Sequence, residues 1–173
     1  MSHYFMGIDL GGTVTKAGIN TAEGREVTVA AQTLPLLSPL PGFCERNMAD
    51  LWTATCEVIR RALVESHLSA EHINGIGFSS HGKGLYLVDK SGAPVRNGIV
   101  SSDSRAQSLV TAWKAQGIDR QAYPRSFQQL WPSHPVALLR WLKLNEPESY
   151  ARIGYVLMAH DYIRYCLTQE FTC

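Results

Sequence analysis

The residues with the clearest chemical pattern lie near the N-terminus, in Asp9-Leu10-Gly11-Gly12-Thr13-Val14-Thr15-Lys16. Adjacent glycines let a backbone approach an anion closely, because no Cβ intervenes and a left-handed φ is open to them. Successive N–H groups in such a turn form an anion-binding nest, and the Thr13 hydroxyl adds a donor. Asp9 closes an apolar run and is placed to hold Mg²⁺ through water, since Mg²⁺ keeps much of its hydration shell. Lys16 offers positive charge, although it falls in the strand that follows. The chemistry implied is phosphate handling; the plain alternative is a hairpin turn with an aspartate at its mouth. The spacing matches neither G-x-x-x-x-G-K-[ST] nor G-x-G-x-x-G.

The elements that must position this loop are β-strands. Tyr4 to Asp9, Thr15 to Asn20 and Glu26 to Leu34 read as three strands, with a turn signal at Thr21-Ala22-Glu23-Gly24. Pro35 to Gly42 is a loop. Asn47 is placed to cap a helix through about His67, with Asp50 at its third position; Leu51, Thr55, Val58, Ile59, Ala62 and Leu63 recur at helical spacing. Cys56 shares that stripe and reads as a small core residue. Ile73 to Ser79 reads as a buried strand, Leu85 to Val88 as another, and Val95 to Ser101 as a third, with a tight turn at Asp89-Lys90-Ser91-Gly92. Helices are expected from Ser104 to Gln116, stopped by Gly117, and from Pro135 to Leu144. Tyr155 to Met158 reads as a buried strand, and Asp161 as the cap of a helix through Leu167. With Val95 to Ser101 left out as a candidate strand only, the order β-β-β-α-β-β-α-α-β-α describes a mixed α/β domain, with no internal repeat or flexible linker.

Composition narrows the function. The chain has 173 residues, enough for one domain, or one and a piece of another, and a domain of that size buries roughly 70% of its unfolded surface without disulfides or metal. The 16 basic and 15 acidic residues leave a net charge of +1, which speaks against nucleic acid and gives no attraction to an anionic membrane. Apolar residues at 45% and charged residues at 18% argue against disorder. No apolar run spans a bilayer, and Asp9 comes too early for a secretory signal. Cys44, Cys56, Cys166 and Cys173 form no C-x-x-C pair, so the expectation is four reduced thiols in a cytoplasmic protein.

The strand-turn-strand around Gly11-Gly12-Thr13 resembles the first phosphate motif of the actin-like ATPase superfamily, whose domains are ribonuclease H-like: a mixed sheet with flanking helices. Later segments are similar to the FGGY carbohydrate kinases. Pro41-Gly42-Phe43-Cys44-Glu45-Arg46-Asn47 through Trp52 resembles the family's P-G-W-x-E-x-D-x-x-x-W stretch. Ile73 to Gly82 resembles its strand and sugar loop, and Leu87 to Val95 its L-D-x-x-G-x-P-L hairpin. Ser101-Ser102-Asp103-Ser104-Arg105 stands where W-x-D-x-R is usual. Asn145 to Glu148 and His160 to Thr168 match H-E-P-E and K-D-Y-L-x-x-x-L-T-G. Within the family the likeness is greatest to the bacterial L-xylulose / 3-keto-L-gulonate kinase branch, through Gly82-Lys83-Gly84-Leu85, Ser101-Ser102-Asp103 and Trp131-x-x-His134-Pro135-Val136.

The resemblance implies ATP-dependent phosphorylation of a sugar hydroxyl, on a ketopentose such as L-xylulose, between two actin-like domains. Asp9, Gly11, Gly12, Thr13 and Lys16 would face the transferred phosphate and Mg²⁺, with Asp9 as the metal residue. Ser80 and His81 would lie at the sugar, with Lys83 nearby and Asp103 and Arg105 beside them. Each has a plainer reading: His81 as a loop histidine, Lys83 as a surface charge, Asp103 as a helix cap and Arg105 as its ion-pair partner. Trp52, Trp113, Trp131 and Trp141 read as packing, with Trp131 the one candidate to stack on a sugar. Gly12 stands where the family has Thr, as in hexokinases of the ROK type, and Ser101 where it has Trp. The family's catalytic base and adenosine motifs lie downstream of Thr168, so residues 1–173 are expected to be most of the N-terminal kinase domain, inactive alone, within a protein that forms a homodimer. The alternatives are a non-catalytic sugar- or nucleotide-binding actin-like module and a ROK-type kinase.

Overall fold

The structure, a computed structural model, describes residues 3–171. The chain divides into two compact units. One comprises the residues up to Leu36, Asn47–His81 and those from Ala159 onward; the other comprises Leu37–Arg46 and Gly82–Met158.

The first unit is built on β1 (Tyr4–Leu10), β2 (Val14–Thr21), β3 (Glu26–Thr33) and β5 (Ile73–Ser80), in the order β3-β2-β1-β5. The first three are antiparallel and β5 runs parallel to β1. Alternation sends Met6, Ile8, Leu10, Ala17, Ile19 and Ala30 to one face, where all are buried. Helix α1 (Met48–Ser66) covers that face with Leu51, Ala54, Val58 and Ala62. Asn47 caps it as expected, its Oδ1 accepting from the Ala49 and Asp50 amides at 2.8 and 3.1 Å. His67 ends it in the left-handed region at φ 55°. Helix α6 (Ala159–Thr168) packs against β5 and α1.

The second unit holds two small antiparallel ladders, β4 (Glu45–Arg46) with β7 (Gly98–Ile99) and β6 (Tyr86–Val88) with β8 (Tyr155–Leu157). Four helices follow: α2 (Gln107–Ala115), α3 (Ile118–Ser126), α4 (Pro135–Asn145) and α5 (Pro147–Ala151). Leu85, Leu87, Ile99, Val110, Leu138 and Leu142 form its core. The Asp89 turn is as read from the sequence: Asp89 Oδ1 accepts from the Ser91 and Ala93 amides.

Several expectations are corrected. Strand β5 has no fully buried residue, because among the described residues it pairs on one side only, with β1. In β8 only Leu157 is buried. The strand expected over Val95–Ser101 shrinks to Gly98–Ile99. The helix expected at Ser104 starts at Gln107, because the Asp103 carboxylate takes the Arg105 amide at 2.9 Å and holds the chain in a turn. Asp161 is not a cap; α6 begins at Ala159, leaving Asp161 in its first turn. Helices α3 and α5 were not expected, since neither buries a residue and α3 contains Pro124. Cys56 is half-buried, and burial raises its thiol pKa. Cys44, Cys56 and Cys166 are free thiols; Cys173 lies outside the described residues.

Candidate functional site

The β1–β2 turn presents Gly11, Gly12 and Thr13. The Gly11 amide donates to the Val14 carbonyl at 3.0 Å, and the Leu34 amide donates to the Thr13 carbonyl at 2.9 Å. Neither Gly11 nor Gly12 takes a left-handed φ, so the expected use of positive φ is corrected; only Gly11 is required for its missing Cβ. A Cβ on Gly11 would stand 2.8 Å from the Val14 carbonyl oxygen, whereas one on Gly12 would meet nothing within 4 Å. Gly12 and Thr13 are exposed, leaving an open approach to the turn.

Asp9 and Lys16 are direct cross-strand partners on the sheet face opposite α1, and both are exposed. With Gly7, Gly18, Gly77 and Ser79 they line a shallow depression of about 440 Å³. Opposite charges at one antiparallel pair are favourable neighbours. Among the described residues, no three His, Cys, Asp or Glu side chains gather where they would hold a metal ion. A Mg²⁺ at this turn would have Asp9 as its one carboxylate, with waters and phosphate oxygens supplying the remaining ligands.

Ser80 ends β5, and its hydroxyl shares a 2.6 Å hydrogen bond with His160 Nδ1 at the start of α6. His160 Nε2 lies 3.5 Å from Asp161 Oδ1, which lies 3.5 Å from Arg164. The half-buried His81 donates its amide to the Leu10 carbonyl at 3.4 Å, tying the end of β5 to that of β1. Sequence reasoning missed His160 as the residue that orients Ser80. The 80 positions between them leave no local signal.

In the second unit Asp103 and Arg105 sit in a buried ion network. Each side chain has 0% exposure. Arg105 Nε and Nη2 donate to the Asp103 carboxylate, and Nη2 also donates to Glu45 Oε1 at 2.7 Å. Asp103 Oδ2 accepts the Cys44 amide at 2.7 Å, and Arg96 bridges Glu45 to Glu146. The Arg105 guanidinium lies 4.1 Å from the centre of the Phe43 ring and 5.2 Å from that of Trp141. Burial lowers the Arg105 pKa, but the Asp103 and Glu45 hydrogen bonds and charges outweigh it and leave the pKa raised. Asp103 and Arg105 are thus joined as an ion pair, and Asp103 caps no helix.

Lys83 belongs to a cleft of about 290 Å³ lined also by Gly82, Gln128, Gln129, Trp131 and His134. Its Nζ lies over the Trp131 ring, 4.6 Å from the centroid. Burial, and then the Lys83 charge, hold His134 below its ordinary pKa. Trp131 is 50% exposed, whereas Trp52, Trp113 and Trp141 are half-buried packing residues.

Residues 4–173 match the N-terminal domain of the FGGY family of carbohydrate kinases. The chain belongs to that family. This FGGY chain is 52% identical over 173 residues to the L-xylulose/3-keto-L-gulonate kinase of Escherichia coli K12, covering all of the chain and 35% of that protein. It is 46% identical over 171 residues to a probable L-xylulose kinase of Pasteurella multocida, covering 99% of the chain and 35% of that protein. Among solved structures, the ligand-bound xylulose kinase of Lactobacillus acidophilus superposes with a TM-score of 0.91 at 25% identity, over 98% of this chain and 34% of that one. The gluconate kinase of the same organism superposes at 0.92 with 24% identity, over 99% and 34%, and supports the actin-like fold alone. The FGGY chain spans about a third of the length of the curated relatives it matches. No helix among the described residues is long and apolar enough to cross a membrane.

Proposed function

We propose that this FGGY chain is the phosphate- and sugar-facing part of an ATP-dependent sugar kinase that phosphorylates a hydroxyl of L-xylulose or a closely related keto sugar. The observation that carries the reading is the 52% identity, sustained over the whole chain, to a kinase of L-xylulose and 3-keto-L-gulonate. The open Asp9–Thr13 turn supports it. Phosphoryl transfer is mostly positioning and charge stabilisation, and a turn with no Cβ at Gly12 leaves room for a phosphate against the backbone.

The roles follow from that placement. Thr13 would donate to the transferred phosphate, which would approach the backbone across Gly11 and Gly12. Lys16 would offset its charge. Asp9 would hold Mg²⁺ through water, and the metal would supply neutralisation of the phosphate oxygens. Ser80, oriented by His160, and His81 would hydrogen-bond sugar hydroxyls. Lys83 would also serve substrate binding, and Asp103 and Arg105 would act on it indirectly, by fixing the chain around Cys44. The base that takes the hydroxyl proton would come from the part of such a protein outside residues 1–173, with this chain forming most of the N-terminal domain. The working protein would be a cytoplasmic homodimer with no nucleic-acid partner.

The test is ADP release with Mg²⁺ and ATP over a panel of ketopentoses, on the complete protein carrying this segment and on residues 1–173 alone. Turnover on L-xylulose by the complete protein, lost without Mg²⁺ and absent from the short chain, is the expected result. No turnover on any sugar would refute the kinase reading. Full-rate turnover by the short chain would refute the placement of the base.

A further inference from the structure

The Lys83 cleft has a composition that a neutral ketose does not require. We propose that it receives the carboxylate end of a sugar acid, with Lys83 as the residue that lets the enzyme take an anionic substrate beside a neutral one. The proposal rests on the sugar-kinase reading above.

Among the described residues, the cleft lining holds one cation, Lys83, and no Asp or Glu. Lys83 Nζ is held over the Trp131 ring, and that contact restrains an otherwise flexible four-carbon side chain. An ammonium placed in a concave wall focuses its field into the cleft. His134 does not add a second charge: burial and the Lys83 ammonium favour its neutral form, which offers one donor and one acceptor. Gln128 and Gln129 add carboxamides. The set amounts to one positive charge, neutral hydrogen-bonding groups and one half-exposed aromatic plate. That suits a hydroxylated chain ending in a monoanion.

Size and charge favour a small monoanion over the other anions at hand. The volume of about 290 Å³ is close to the lower end of ligand clefts, roughly 300 to 1,000 Å³, and suits a small ligand. A phosphate dianion is usually met by several cations or by a run of backbone amides at a helix N-terminus or nest. This cleft has a single lysine and one glycine.

The experiment uses the complete protein, as wild type, K83M and K83R. Calorimetry measures binding of 3-keto-L-gulonate and of L-xylulose, and steady-state kinetics measures both sugars and ATP. The wild type is expected to bind both sugars. K83M is expected to raise Kd for the acid at least tenfold more than it raises Kd for L-xylulose, and K83R to recover most of that difference. Equal weakening of both sugars would overturn the proposal. So would a wild type that does not bind the acid. A rise in KM for ATP, with both sugar affinities held, would assign Lys83 to a nucleotide phosphate and overturn it too. Should K83M not fold, as judged by its thermal transition, K83Q is read by the same criteria. If the acid-over-ketose dependence on Lys83 holds in calorimetry but neither sugar is phosphorylated, the kinase reading fails while the carboxylate site stands.

Discussion

At the scale of single residues, the two glycines of the phosphate turn do different work. Gly11 is there because a Cβ would press on the Val14 carbonyl oxygen at 2.8 Å, whereas a Cβ on Gly12 would meet nothing within 4 Å and the fold does not require glycine at that position. Gly11→Ala should therefore destabilise the fold by about 1–3 kcal/mol, the usual range for overpacking against a neighbour that must move. Gly12→Ala should leave stability within about 0.5 kcal/mol yet impair ATP turnover, because the new methyl occupies the space proposed for phosphate. Chemical denaturation and ADP release on both variants check this pair. A Gly12→Ala enzyme with wild-type turnover would remove phosphate from that side of the turn. Asp103 and Arg105 carry a second lesson. Their pairing was one of the two readings their spacing allowed, but their full burial depends on Glu45, Phe43 and Trp141, drawn from distant segments.

At the scale of elements, the long helix is the most autonomous part. Asn47 satisfies two of its first amides, and its stripe of Leu51, Ala54, Val58 and Ala62 is buried. Asn47→Ala should cost about 1 kcal/mol, read as a lower urea midpoint at unchanged slope. No measurable change would mean that tertiary packing alone holds the helix start. This helix, the three leading strands and α4 were legible because their signals are local: a cap, a period of 3.6 or 2, a proline in the first turn. Helix α3 was not. It buries no residue, so it has no apolar period to read, and Pro124 argues against it in isolation. The short ladders of the second unit were equally hidden, because two-residue strands such as Glu45–Arg46 are defined by their partners and not by any alternation of their own.

At the scale of the whole molecule, a buried phenol ties stability to alkaline pH. Burial pushes the Tyr86 pKa up to about 12, with the Arg46 charge opposing part of the rise. In the unfolded chain the phenol ionises near pH ~10. Between those values the unfolded state gives up a proton that the folded state keeps, so stability is intact below about pH 10 and falls toward pH 12. Urea unfolding from pH 8.5 to 11.5 should show a loss larger in wild type than in Tyr86→Phe, by about 1–2 kcal/mol at the upper end. Parallel curves would mean that the phenol ionises alike in both states.

The sequence by itself determined the strand-turn-strand opening, the Asp-Gly-Gly-Thr loop, the capped helix and the ordered motifs of an FGGY kinase domain. Each of these is written in neighbouring residues. Only the tertiary structure decided that neither glycine of the loop uses a left-handed φ. Only it showed that His160 orients Ser80 across 80 positions, that Arg105 is sealed between two acids and two rings, and that Lys83 lies over Trp131 in a cleft whose described lining holds no acid. The reason is physical. Turns, caps and periodicities are set by steric and hydrogen-bonding rules within a few residues, whereas burial, ion pairing and the shape of a cleft depend on which distant side chains the packed chain brings to one place.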